Sequence, residues 1–267
     1  MKVFAIARLT YSVERHRSEI LILALIGFVL AFSMSLISLS PALTSQVLGY
    51  ASSDRSLERS ALMLQGGLFY SEICVFLIGF LIAMNTFSGD KKSGILDIVL
   101  SKQLTRSQYL TGKFLGAFIL CCAAYLVMIL PIVGSTVYSG QWGVSISTTL
   151  SYLSGCVKVI IYLSLTFFFL MRLPRFLAPM MGLVFVAMGY FSQSLSLMHA
   201  NSEGIWRWLS MISYYFIPHL TEVTVASIFS PLPGSGPDYA KWFLVYGLLY
   251  PGVFLLLSLK LFKRRSL

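Results

Sequence analysis

Residues Ser88–Lys113 read SGDKKSGILDIVLSKQLTRSQYLTGK, a basic, helix-prone island between two long apolar runs, Gly66–Phe87 and Phe114–Gly134. A stretch with this many charges cannot sit in hydrocarbon. If its neighbours cross a bilayer, it lies on a membrane surface, open to soluble partners. Composition points the same way. Over 267 residues 57% are hydrophobic and 11% charged, whereas an ordinary soluble domain carries about 25% charged residues. Length alone would allow one or two soluble domains, but here the apolar residues gather into blocks.

A helix rises about 1.5 Å per residue, so about 20 apolar residues span a hydrocarbon layer of about 30 Å. Six segments meet that length: Ile20–Leu39, Gly66–Phe87, Phe114–Gly134, Leu150–Met171, Phe176–Met198 and Trp242–Phe262. They are continuous rather than alternating, which argues against a transmembrane barrel. Helices also satisfy their own backbone groups, as lipid requires. The expected fold is an all-α polytopic membrane protein with six transmembrane helices, residues 1–267 forming one domain.

Lysines and arginines set the expected orientation. With both termini cytoplasmic, fifteen of the 20 lie on the inner side, four outside (Arg55, Arg59, Arg207, Lys241), and Lys158 lies inside a span. The bias follows the positive-inside rule loop by loop. It also accounts for the net charge of +10 without a nucleic-acid partner, for which the basic residues are too dispersed. Residues 199–241 test the scheme. Their middle is apolar, yet Arg207, Pro218, His219 and Glu222 would be costly in mid-bilayer, and a seventh crossing would invert the charge bias. An extracytoplasmic re-entrant or interfacial element fits both constraints, with Trp206, Trp208, Tyr214 and Tyr215 suited to headgroup depth.

Ahead of the first span, Val3, Ile6, Leu9 and Val13 recur at helical spacing, with Arg8 and Arg15 on the other side. Residues 1–19, including Arg17, therefore read as an amphipathic helix on the inner membrane surface. The first span is too long for a signal-peptide core, and Pro41 falls where small residues would mark cleavage. Cys74, Cys121, Cys122 and Cys156 lie within spans without metal-ligand spacing, and packing explains them.

Within the island, Ile95, Leu96, Ile98, Val99 and Leu100 give a short helix with an apolar side, preceded by Gly94. A solvated basic loop would account for the lysines but not for that stripe, which needs something to bury against. Thr105 and Gln108 then form the pattern of a capping box, starting a second helix with Arg106, Tyr109 and Lys113 that runs on into the third span. An element joined rigidly to a span can transmit displacement; a slack loop cannot.

These residues carry a resemblance. Asp90-x-x-x-Gly94-Ile95-Leu96, then Leu100-Ser101, Thr105-Arg106 and Gly112-Lys113 resemble the coupling region of type-2 ATP-binding-cassette (ABC) transporter permeases. The chain departs from that pattern at Asp90 (glutamate in the family), Ile95 (threonine) and Gln103 (proline). The resemblance implies a permease subunit that forms a homodimer or heterodimer in a bacterial inner or cytoplasmic membrane, in contact with membrane lipid. Two cytoplasmic ATPase subunits would dock on it. Residues 88–113 would be the coupling element, through Asp90, Lys91, Gly94, Ile95, Leu96, Leu100, Thr105, Arg106, Tyr109 and Lys113. Arg8, Arg15 and Arg17 would belong to an interface helix. ATP and magnesium would sit on the partner ATPase, with no cofactor on this chain. Gly112-Lys113 lacks the earlier glycine of a phosphate loop and is followed by Phe114, and no catalytic constellation is visible, so the chain reads as a permease and not an enzyme. Export is the expected direction. The competing class is a membrane assembly or signalling component that docks an ATPase without moving solute.

Polar residues within the spans are candidate pathway positions: Glu72, Asn85, Lys158 and Gln193. Lys158 could pair with Glu72, which enters its span from the same side, could snorkel, or could meet substrate. Interhelical hydrogen bonding explains Asn85 and Gln193 equally well. Pro251-Gly252 is expected to kink the last span.

Overall fold

Apolar side chains dominate the outer surface of helix after helix, as they would in a chain whose solvent is lipid. The computed structural model describes residues 2–15, 17–39, 56–92, 105–138, 142–191, 204, 208, 217, 218, 220 and 245–264, with backbone alone at 2, 38, 56–65, 86–92, 142–150, 245, 246, 263 and 264. Among them are helices α1 (Lys2–Arg15), α2 (Ser18–Leu39), α3 (Ser56–Lys92), α4 (Arg106–Tyr138), α5 (Trp142–Leu170), α6 (Leu177–Tyr190) and α7 (Tyr250–Arg264), and no strand. Four of these helices, α2 to α5, are long and apolar enough to cross a membrane, while α6 and α7 are shorter apolar helices. The molecule is an all-helical, membrane-spanning protein.

Helix α2 shows why. Leu21, Ile22, Leu25, Ile26, Val29, Phe32 and Leu36 all lie exposed along it. In water such a surface would be an aggregation hazard; in hydrocarbon it costs nothing. The inner faces build one core in which α4 and α5 are central. Helix α4 packs against α1, α2, α3, α5 and α7, and α5 packs against α3, α4, α6 and α7. Tyr109, Tyr125, Tyr162 and Phe167 are the largest side chains buried there. Small residues let the helices close up. A Cβ on Gly79 of α3 would lie 2.9 Å from the Tyr162 ring of α5, so any larger residue would push the two apart.

Three helices run past the expected spans, α5 among them, since it begins at Trp142, eight residues before Leu150. Helix α3 has 37 residues and α4 has 33, about 55 and 50 Å, both longer than the hydrocarbon layer. The backbone of α3 stays helical through Ser88–Lys92, and α4 begins eight residues before Phe114. The last apolar helix differs from expectation in where it is irregular. Pro251 falls on the second residue of α7, and a π-helical stretch, Val245–Leu249, precedes it. Pro251 has no N–H to give the Gly247 carbonyl, and the wider turns lie where that bond is lost.

Candidate functional site

The connector end of α4 is built by its cap. The Thr105 backbone N–H donates to Gln108 Oε1 at 3.2 Å, and the Gln108 N–H donates to Thr105 Oγ1 at 3.3 Å. This reciprocal pair is the capping box the spacing predicts, and it starts a helix that runs unbroken to Tyr138. Thr105→Ala removes one arm, at a cost of about 1 kcal/mol. The expected result is faster hydrogen exchange at the first-turn amides of α4 with the transmembrane part unchanged.

Helix α1 lies against that first part of α4. A Cβ on Gly112 would come within 2.7 Å of Ile6 Cβ and 3.1 Å of the Val3 carbonyl oxygen. On Gly116 it would meet Thr10 Cβ at 2.7 Å and the Ala7 carbonyl oxygen at 2.8 Å. The Gly-x-x-x-Gly spacing places both glycines on one face, so the two backbones approach closely. Ile6, Ala7, Thr10 and Glu14 are the buried side of α1, whereas Phe4, Leu9 and Val13 are exposed. This corrects the expected single stripe of Val3, Ile6, Leu9 and Val13. The helix has one face cut to fit glycines and a second apolar face turned away from the protein, and apolar spacing alone merges the two. Arg8 and Arg15 are exposed, with Arg15 lying 6.0 Å from the Tyr11 ring. Arg17 pairs with Glu14 at 2.9 Å where α1 turns into α2.

Tyr109 and Lys113 are both buried. The Lys113 ammonium lies 5.9 Å from the Tyr109 ring, and Tyr109 stacks on Phe262 of α7 at 6.2 Å. Thr105 and Arg106 occupy the cap and first residue of α4. Asp90 and Lys91 fall on the last turns of the α3 backbone, and Asn85 lies partly buried on α3. Gly94, Ile95, Leu96, Leu100 and Gln193 lie outside the described residues, as does most of 199–241.

The second cluster lies inside the spans. Lys158 Nζ of α5 contacts both carboxylate oxygens of Glu72 on α3, at 2.9 and 3.0 Å. The Tyr190 hydroxyl, from the end of α6, donates to Glu72 Oε2, and Lys158 Nζ lies 5.2 Å from the centre of the Tyr190 ring. Phe69 meets that ring edge-on at 6.0 Å. Tyr125 of α4 stacks on Tyr152 at 5.3 Å and presses against Gly155, one turn before Lys158. Its hydroxyl is buried without a hydrogen-bond partner among the described residues. Of the open roles for Lys158, pairing with Glu72 is the one observed. Tyr190 escaped sequence reasoning, because a tyrosine in an apolar run carries no sign of which charge it will meet.

No protein-family model matches this chain, and no curated protein matches it. What the fold and these two clusters define is a helical membrane protein with a capped helix that runs into a span at one end and a buried charge pair near the other.

Proposed function

We propose that this chain is the membrane-spanning permease subunit of an ATP-driven transporter of the type-2 ABC class, working as an exporter. The observation that carries the reading is the continuity of α4. A capped helix beginning in the connector and running into a span is a lever, and α1 lies in its Gly112–Gly116 groove. Force applied to the connector by a motor protein would reach the bilayer through a rigid element rather than a loop.

On this reading the six crossings are α2 to α5, a fifth formed by α6 with the residues that follow it, and a sixth formed by 245–264. Both termini and residues 88–113 face the cytoplasm of a bacterial cell, and 199–241 face outward. Two permease chains, identical or paired with a homologue, receive two ATPase subunits that bind ATP and magnesium. Asp90, Lys91, Gly94, Ile95, Leu96 and Leu100 form the docking element, while Thr105, Arg106, Tyr109 and Lys113 relay its movement into α4.

The test is co-purification from mild detergent followed by transport and ATPase assays in vesicles. Asp90→Ala, Gly94→Val and Arg106→Ala are each expected to reduce coupled transport at least about tenfold, or about 1.4 kcal/mol, with insertion unchanged. A cysteine placed at Lys102 should react with impermeant thiol reagents only from the cytoplasmic side. Full coupling in all three variants, or labelling of that cysteine from outside intact cells, would overturn the reading.

A further inference from the structure

We infer that Glu72 and Tyr190 form a binding cradle for the ammonium group of a lipophilic amine, and that the Lys158 side chain occupies it as a tethered substitute. Helices α3, α5 and α6 each contribute one residue. Glu72 and Lys158 sit six and seven residues inside the apolar windows beginning at Gly66 and Ser151, so about 10 Å from that end of the spans. Tyr190 is the last residue of α6, at the same end, opposite the capped start of α4.

The chemistry selects a cation. Glu72 supplies the negative charge, and the Tyr190 ring, held edge-on by Phe69, presents a π face to the ammonium at 5.2 Å. A carboxylate beside an aromatic face is how proteins recognise ammonium ligands. An anion taking Glu72's place on Lys158 would instead face the tyrosine π cloud and leave a carboxylate without its cation. Lys158 is suited to yield, because its flexible stem can carry the ammonium toward the headgroups. As the cargo site of an exporter this inference rests on the permease reading; as a binding site it does not.

The test uses the full-length chain in phosphatidylcholine nanodiscs, with n-octylammonium as probe and n-octyl sulfate as its anionic counterpart, followed by calorimetry. Octylammonium should bind the wild type. Lys158→Met should bind it about tenfold more tightly or better, since an internal competitor scales apparent affinity down to the fraction of sites it leaves empty. The double variant Glu72→Gln/Lys158→Met, which leaves no unpaired charge, should not bind. If Lys158→Met cannot be recovered, Tyr190→Leu keeps the ion pair and should weaken binding about threefold or more. Equal binding to the double variant, no tightening in Lys158→Met, undiminished binding in Tyr190→Leu, or preference for octyl sulfate would each overturn the inference. No ATPase enters the measurement. Loss of cation binding with coupling intact therefore refutes this inference alone, and loss of coupling with binding intact refutes the permease reading alone.

Discussion

Lys158→Met alone is expected to destabilise the folded chain by about 3–5 kcal/mol, while Glu72→Leu/Lys158→Met together should be close to neutral or mildly stabilising. The two side chains are 9% and 11% exposed, so neither charge has water to fall back on. Removing one partner strands the other. Removing both takes away the Coulombic gain and the desolvation cost together, and in these circumstances the second term is commonly the larger. Glu72→Leu by itself should fall at the lower end of the range, because a lysine about 10 Å inside the span can snorkel and a glutamate cannot. Reversible unfolding in nanodiscs, run as a double-mutant cycle, measures all three. A cycle in which the single variants cost less than about 1 kcal/mol would mean that the charges are hydrated, and that Glu72 and Lys158 are not a buried pair.

Gly116→Leu should cost about 1–3 kcal/mol or more and release α1 from α4. The obstacle is partly backbone: the Ala7 carbonyl oxygen would lie 2.8 Å from the new Cβ, with Thr10 Cβ at 2.7 Å. A flexible side chain could swing away, but a carbonyl moves only with its helix. Thr10 cannot easily yield either, since its hydroxyl donates to the Ile6 carbonyl at 2.9 Å. The readout is tryptic cleavage at Arg8 and Arg15, which should accelerate as α1 detaches, alongside a lower unfolding temperature. Gly134→Ala is the matched control on the same helix. Nothing lies within 4 Å of a Cβ there, and alanine's better helix propensity should stabilise by up to about 1 kcal/mol. If Gly116→Leu behaves like Gly134→Ala, the glycine groove does not hold α1. On the permease reading, the detached α1 would also weaken ATPase coupling.

Local information carried the class of protein and part of its detail. Hydropathy over about 20 residues identifies α2 to α5, because lipid rewards apolar length whatever the neighbours are. Thr105 and Gln108 are three residues apart, so a box between them is legible from spacing, and both of its bonds form. Helix α1 was half legible. Its amphipathic spacing is real, but which side faces protein depends on two glycines more than a hundred positions away.

The intramembrane cluster shows the boundary most clearly. A charge in each of two apolar runs marked Glu72 and Lys158 as unusual from sequence alone, since burying either unpaired is costly. That they meet, and that Tyr190 joins them, was decided by tertiary packing across separations of 86 and 118 residues along the chain. Membrane helices associate through close fit and polar contacts rather than expulsion of water. The partners of a buried charge are therefore set by which helix faces pack together, and no local pattern encodes that choice.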